Sequence, residues 1–241
     1  MSRLREIIGT LVRLPLRLVP RNAVVRIRSG ELRGWRWIAG SSTNGCWLGT
    51  YERRVQRLFR EELRMGAAVL DIGANVGFYT LLASKLTGAA GHVHAFEPLP
   101  RNLYYLERHI KLNELANVTV ESLAIAATSG EAFFRTAPHA SMGGLRQDGN
   151  LHVTTASLDD LIASGRIPKP DFIKMDIEGA ESDALRGAAK LLASGPLTIV
   201  LSTHGYQQHQ TCWAILESAG FRLDLVRDGA ADGDYLILAK K

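Results

Sequence analysis

The stretch "VLDIGANVGFYT", residues 69–80, runs from an apolar strand pattern through a short turn into an apolar helix pattern. Gly73 and Gly77 permit a tight turn and let a ligand approach the backbone, and the start of the helix offers free N–H groups. Asp71 ends the strand, and Asn75 lies between the two glycines. The stretch therefore predicts a small-molecule site where the strand meets the helix.

Strand and helix patterns alternate on the C-terminal side of this stretch, for example "HVHAFE" (92–97) followed by "RNLYYLERHIKLN" (101–113). This alternation predicts an α/β fold, a doubly wound and mostly parallel sheet with helices on both faces. The last two strand patterns have too short a connection for a parallel crossover, so the last strand should enter antiparallel. We expect one such domain at residues 65–241 and a basic extension at residues 1–64 with a helix, a small β element and a lead-in helix.

Glu97 ends the second strand, twenty residues after Gly77. A carboxylate at this point can accept both hydroxyls of a ribose. A nicotinamide site would read G-x-G-x-x-G, whereas this loop reads Asp71-x-Gly73-x-x-x-Gly77. An acid at Asp71 suits the ammonium group of a methionine moiety, so the pattern favours S-adenosylmethionine over NAD. The alternative is that the glycines only make a turn and that Glu97 only faces solvent.

A second charged motif, "FIKMDIEGAE" (172–181), reads as a short buried strand. Lys174 needs a partner, most simply Asp176 or Glu178, because an unpaired buried charge is costly. Asp176 ends the strand and should face the reacting group, whereas Glu181 suits the start of the next helix.

The next strand ends in "LSTHG" (201–205), which places His204 at the same edge of the sheet. His204 is the leading candidate for a general base because its intrinsic pKa lies near neutrality, and His209 is a weaker choice. The competing interpretation is that His204 only hydrogen-bonds a loop.

Five motifs follow one another as in FkbM-family methyltransferases: "LGTYE" (48–52), "VLDIGANVGFYT" (69–80), "GHVHAFEP" (91–98), "SLDDL" (157–161) and "FIKMDIEGAE" (172–181). The resemblance implies a class I Rossmann-like fold with S-adenosylmethionine as cofactor and methylation of a hydroxyl on a sugar, glycolipid or other secondary metabolite.

Residue by residue, the resemblance implies contacts with the methionine end of the cofactor for Asp71, Gly73, Asn75 and Gly77, with the ribose for Glu97, and with the adenine for Ser122 and Leu123. It also implies that Tyr51 and Glu52 close over the cofactor, although a helix start explains them equally well. The chain departs from the family at Ser202, where an acidic residue is more common. This departure leaves Asp176 or Glu178 to orient His204.

Charge is unevenly distributed, because residues 1–64 hold fourteen arginines, no lysine and five acids. Within them, "LREIIGTLVRLPLRLVP" (4–20) resembles an amphipathic segment that packs on the domain or contacts an anionic membrane or glycolipid, since a span needs about 20 apolar residues. The two cysteines, far apart, predict neither a disulfide framework nor a cysteine metal site. We expect a cytoplasmic protein, with peripheral contact to the inner face of the membrane as the alternative.

The acceptor is expected to be a small molecule or a glycan, and no nucleic-acid module is recognisable. The segment "TAPHASMGGLRQDGN" (136–150) is a candidate for substrate recognition. Two rival functions stay open: a metal-assisted O-methyltransferase using Asp176 and Glu178, and a cofactor-binding scaffold without turnover. No metal ligands are assigned, because the sequence shows no clear third ligand, and it gives no signal for an oligomeric state.

Overall fold

The structure is a computed structural model that describes residues 18–136, 143–145, 149–227 and 233–241. The predicted amphipathic segment therefore lies outside the described residues except at positions 18–20, and the candidate recognition segment is described only in part. Among the described residues, no helix has both the length and the apolar character needed to cross a bilayer.

The central sheet confirms the predicted fold class. Within the described part of the chain it has seven strands in the order β12-β13-β11-β10-β3-β4-β5, and β13 and β12 are antiparallel to their neighbours while the other pairs are parallel. The strands are β3 (Ala68–Ile72), β4 (His92–Phe96), β5 (Val118–Glu121), β10 (Phe172–Met175), β11 (Thr198–His204), β12 (Arg222–Arg227) and β13 (Asp234–Lys240). The strand order reverses between β3 and β10, and ligands bind at such switch points in open α/β sheets.

Helices cover both faces of this sheet: α3 (Phe78–Thr87), α4 (Pro100–Leu112), α5 (Leu158–Ala163), α6 (Glu181–Arg186), α7 (Ala189–Ala193) and α8 (Tyr206–Ser218). Residues alternate between the faces along each strand, so Ile173 and Met175 lie in one core and Phe172 lies in the other.

The N-terminal elements pack onto the Phe172 face of the sheet. They are β1 (Val24–Arg26), β2 (Arg36–Ile38), α1 (Asn44–Leu48) and α2 (Arg53–Glu62). Trp37, Trp47 and Phe59 from this region are buried in the same core as Phe172. The predicted domain border at residue 64 therefore separates elements that share one core.

A small second sheet, in the order β6-β9-β7-β8, lies between β5 and α5 in the chain. It consists of β6 (Ala124–Ile125), β7 (Gly130–Thr136), β8 (Gly143–Leu145) and β9 (Leu151–Ala156). β7 contains the sequence "EAFFR" and pairs antiparallel with β8 and β9.

The helical segment that follows β10 is divided into two short helices, α6 and α7. Asp159 causes the division, because its carboxylate accepts the backbone N–H groups of Lys190 at 2.8 Å and Leu191 at 2.9 Å. A Cβ at Gly187 would overlap the carbonyl oxygen of Ala126, so the chain approaches the second sheet closely here.

Candidate active site

A cleft opens at the carboxyl ends of β3, β4 and β10, where the sheet order reverses. Eight of the predicted site residues line it: Tyr51, Gly73, Asn75, Glu97, Leu123, Lys174, Asp176 and Glu178. Five do not: Glu52, Asp71, Gly77, Ser122 and His204. These eight predicted residues thus form part of the wall, and the other five lie behind or beside it.

The loop after β3 is shaped by its two glycines, which have different roles. Gly73 has φ +77°, and a Cβ there would overlap the carbonyl oxygen of Asp176, so glycine lets this loop lie against the end of β10. Gly77 has φ +93°, and a Cβ there would lie 2.6 Å from a methyl carbon of Leu106. Gly77 thus allows α3 to pack on α4. It does not line the cleft, so its predicted contact with the cofactor stays a prediction.

Glu97 lines the cleft with its carboxylate held in place from two sides. Its Oε2 accepts the N–H of Asn75 at 2.8 Å, and its Oε1 accepts the N–H of Leu99 at 2.9 Å. Burial raises the pKa of Glu97, while hydrogen bonds from Leu99, Asn102 and Asn75 oppose that effect. A carboxylate has about four lone-pair sites and three of them are occupied here, so Glu97 can still accept a hydroxyl of a ribose.

The cleft wall beyond Glu97 is apolar. Leu123 is 3% exposed and lines the cleft together with Phe96, Ile125 and Phe134. Such walls suit a flat purine ring. Ser122 is exposed and outside the cleft, so of the two residues assigned to adenine only Leu123 is positioned for that contact.

Lys174 is paired with Asp71, a partner that the sequence did not suggest. The two residues are directly opposite in the pairing of β10 with β3, and the Lys174 Nζ lies 3.6 Å from Asp71 Oδ1, 3.9 Å from Asp176 Oδ2 and 3.0 Å from the Gly73 carbonyl oxygen. Burial lowers the pKa of Lys174, but the charges of Asp71, Asp176 and Glu52 outweigh burial and the pKa rises. Lys174 is therefore an ammonium ion.

Asp71 itself is fully buried and does not line the cleft. Its Oδ2 accepts the hydroxyl of Thr80 at 2.6 Å, and its Oδ1 has no hydrogen-bond partner among the described residues. A direct contact with the ammonium group of a methionine moiety stays a prediction. In the observed geometry Asp71 instead stabilises Lys174.

Tyr51 and Glu52 precede α2 and have separate positions. Tyr51 lines the cleft, and its ring packs edge-on against Phe78 with 5.2 Å between ring centroids. Glu52, at φ +37°, accepts the phenol of Tyr79 at 2.6 Å behind the wall. Burial raises the pKa of both tyrosines, so their hydroxyls remain protonated donors.

His204 lies at the end of β11, beside the cleft, among three carboxylates. Its Nδ1 lies 2.8 Å from Glu181 Oε1, and its Nε2 lies 3.5 Å from Asp176 Oδ1 and 3.7 Å from Glu178 Oε2. Burial lowers the pKa of His204, but the hydrogen bond to Glu181 and the three negative charges raise the net pKa to about 9. A ring that is protonated at neutral pH cannot accept a second proton, so this geometry does not favour the predicted role of base.

Glu181 begins a helix, as the sequence predicted, but its contact with His204 was not predicted. It begins α6 as expected, yet it is fully buried and its Oε1 accepts both His204 and the N–H of Gly179 at 3.0 Å. The signal was the "EGAE" turn, in which Gly179 at φ +100° returns the chain beneath β11. His209 is buried on α8 against Tyr235, with 4.1 Å between ring centroids, and has no position in the cleft.

These features fit S-adenosylmethionine. Glu97 suits a ribose, the apolar wall around Leu123 suits a purine, and the carboxylates of Asp176 and Glu178 suit a positively charged sulfonium. Behind the loop, buried Asp71 balances the positive charge of Lys174. The cleft therefore matches a nucleoside joined to a cation.

Comparison with known proteins agrees with this fit. The hexuronic acid methyltransferase AglP of Haloferax volcanii is 32% identical over 153 residues, which are 62% of this chain and 61% of that protein, so the match spans less than two thirds of AglP. The crystal structure of methyltransferase FkbM from Methylobacillus flagellatus KT superposes with a TM-score of 0.54 at 19% identity, covering 81% of this chain and 53% of that one. An S-adenosylmethionine-dependent O-methyltransferase from Thermotoga maritima gives a TM-score of 0.54 at 14% identity, covering 92% of this chain and 78% of that one.

The two structural matches show the fold, and the family is shown by the sequence itself. Residues 71–223, more than half of the chain, match the methyltransferase FkbM domain. This segment contains the loop after β3, Glu97 and the cluster around His204. The resemblance in the motifs is thus confirmed, and the chain belongs to the FkbM family of methyltransferases, which use S-adenosylmethionine as the methyl donor.

Proposed function

We propose that this enzyme transfers a methyl group to a hydroxyl of a sugar, glycolipid or related secondary metabolite. The observation that carries the proposal is the cluster of Asp176, Glu178 and His204 beside the Gly73 loop. These side chains are between 23% and 30% exposed, so an acceptor from solvent can reach them.

The donor supplies an electrophilic methyl group on a positively charged sulfur. The main task of the protein is to hold the acceptor oxygen in line with that methyl, and positioning of this kind lowers a barrier by roughly 7–11 kcal/mol. The acceptor oxygen loses its proton to a carboxylate of the cluster and forms a bond to the methyl carbon. The carbon–sulfur bond breaks, its electron pair stays on sulfur, and a neutral thioether leaves.

Asp176 is the proposed proton acceptor. It directly follows β10, lines the cleft and is held between Lys174 at 3.9 Å and His204 at 3.5 Å. Both neighbours fix the carboxylate, so we assign Lys174 and His204 as positioning residues. A placed base contributes about 10²–10⁴-fold to the rate.

The acceptor class is supported by one relative. AglP is named for methylation of a hexuronic acid and is 32% identical to this chain over the matched residues. We therefore put sugars first, with uronic acids among them. Part of AglP lies outside the match, so we do not transfer its full substrate range to this chain.

The experiment is incubation of the purified protein with methyl-labelled S-adenosylmethionine and a panel of neutral sugars, uronic acids, glycolipids and polyketides. We expect label on an acceptor oxygen, and we expect Asp176→Asn to lower turnover about 10²–10⁴-fold. Asp183→Asn is the matched control, because Asp183 is exposed on α6 and paired with Arg186. Donor binding without transfer to any acceptor would instead favour a scaffold, and absent donor binding in calorimetry would refute the proposal.

A further inference from the structure

Three potential metal ligands meet at the carboxyl ends of β10 and β11. One ligand atom from each of Asp176, Glu178 and His204 lies within 4.8 Å of the other two. The two strands are parallel neighbours that pair Met175 with Leu201, so their ends project these side chains into one place. The arrangement supplies the third ligand that the sequence alone did not identify.

The two distances from His204 to the carboxylates are those of ligands around an ion, and the two carboxylates lie within 4.8 Å of each other. The Nε2 of His204 lies 3.5 Å from Asp176 Oδ1 and 3.7 Å from Glu178 Oε2, beyond the usual 2.7–3.2 Å of an N–H···O hydrogen bond. Two ligands bound to one ion at about 2.1 Å, in tetrahedral to trigonal geometry, are separated by ~3.4–3.6 Å. A small cation can therefore bind His204 together with either carboxylate with little movement of the side chains.

The surroundings orient the cluster for such an ion. Fully buried Glu181 binds Nδ1 of His204 at 2.8 Å, which directs Nε2 toward the two carboxylates. Histidines that bind metals nearly always have their other ring nitrogen held by a carboxylate or carbonyl in this way. Asp176 contacts Lys174 through Oδ2, so Oδ1 is the oxygen that faces His204.

We propose that Asp176, Glu178 and His204 bind one divalent transition-metal ion of the Mn²⁺ or Zn²⁺ class, with Glu181 as a positioning residue. Two carboxylates and one imidazole suit these ions, since imidazole favours Zn²⁺ and carboxylates favour Mn²⁺. Binding would displace the proton that Nε2 of His204 holds in the ion-free site. The partly exposed side of the cluster leaves room for water or an acceptor oxygen. The role of the ion rests on the proposed function: with the ion bound, Asp176 would be a ligand rather than the proton acceptor. The ion would lower the pKa of the acceptor hydroxyl, and water would take the proton in place of Asp176.

The test is calorimetric titration of Mn²⁺, Zn²⁺ and Mg²⁺ into the chelator-treated full-length protein, without donor or acceptor. We expect one saturable site for Mn²⁺ or Zn²⁺, with weaker Mg²⁺ binding. Glu178→Gln and His204→Gln should each abolish it or weaken it at least 10-fold, and Glu181→Gln should weaken it about 10–100-fold. Asp183→Asn should bind as the wild type does.

Circular dichroism and thermal unfolding establish that each variant is folded. Glu178 is partly exposed, so Glu178→Gln still tests the site if His204→Gln unfolds. Saturable binding that both substitutions leave unchanged would overturn the proposal, as would no binding at all. Donor binding is measured on the same metal-free protein to separate the two proposals. If the protein binds the donor and transfers methyl groups in the presence of a chelator, the proposed function stands and the metal site is refuted.

Discussion

The neutral state of His109 should make folding stability depend on pH in a calculable way. His109 is fully buried on α4, where its Nε2 accepts the N–H of Ile38 at 3.0 Å and its Nδ1–H donates to the carbonyl of Val76 at 2.7 Å. Its ring stacks on Trp37 with 3.9 Å between centroids. The histidine thus ties β2 to the cofactor loop, and protonation of Nε2 would break the bond to Ile38.

Burial lowers the pKa of His109 to about 4 from its ordinary value of 6.5, and the hydrogen bond to Val76 only partly opposes this. Below pH 6.5 His109 therefore binds a proton in the unfolded chain but not in the folded chain. Stability falls as pH falls from 6.5 toward 4. Integrating the difference gives about 2 kcal/mol of stability lost at pH 5 relative to pH 8.

The assay is urea unfolding of wild type and His109→Gln at several pH values from 8 to 5. Other titrating groups are common to both proteins, so the difference between their unfolding free energies isolates His109. We expect wild type to lose about 2 kcal/mol relative to the variant between pH 8 and pH 5. A difference that stays constant over this range would refute the reasoning.

Three further outcomes are expected. Gly73→Ala should lower the free energy of unfolding by about 2–4 kcal/mol, because the new Cβ would clash with Asp176. Gly165 has a similar φ but lies in open space, so Gly165→Ala should lower it by only about 1 kcal/mol. Equal losses in urea unfolding would contradict the clash. Glu97→Gln should weaken donor binding in calorimetry at least about 10-fold, because one acceptor oxygen becomes a donor; unchanged affinity would remove Glu97 from the ribose site. Lys174→Met should destabilise the fold by about 3–5 kcal/mol, since buried Asp71 is left unpaired, and adding Asp71→Asn should restore part of that loss in thermal unfolding; no restoration would count against the pair.

Local patterns predicted much of this fold because the decisive signals lie within short windows. The turn at Gly73, the strand that leads into Glu97 and the short C-terminal connection each fix the local path of the chain. Together they specified a parallel sheet with an antiparallel last strand. They also identified eight of the residues that line the cleft.

The remainder depends on contacts between distant segments. Lys174 pairs with Asp71 only because β10 lies beside β3, and the sequence of either strand does not reveal that order. The break between α6 and α7 depends on Asp159, about thirty residues away in the chain. Likewise, Glu181 shows its role only once β11 brings His204 above it.

The aromatic core shared with the N-terminal elements has a consequence for exchanging segments between relatives. Phe59 of α2 packs on Phe172 at 5.0 Å and on Tyr79 at 5.1 Å between ring centroids, and the Tyr79 ring lies 5.3 Å from the Lys174 ammonium. A chimaera that grafts only residues 71–223 would transplant Tyr79 and Lys174 without their covering ring. The segment that must be transferred together is therefore longer than the residues that match the family. A functional graft should also include α2.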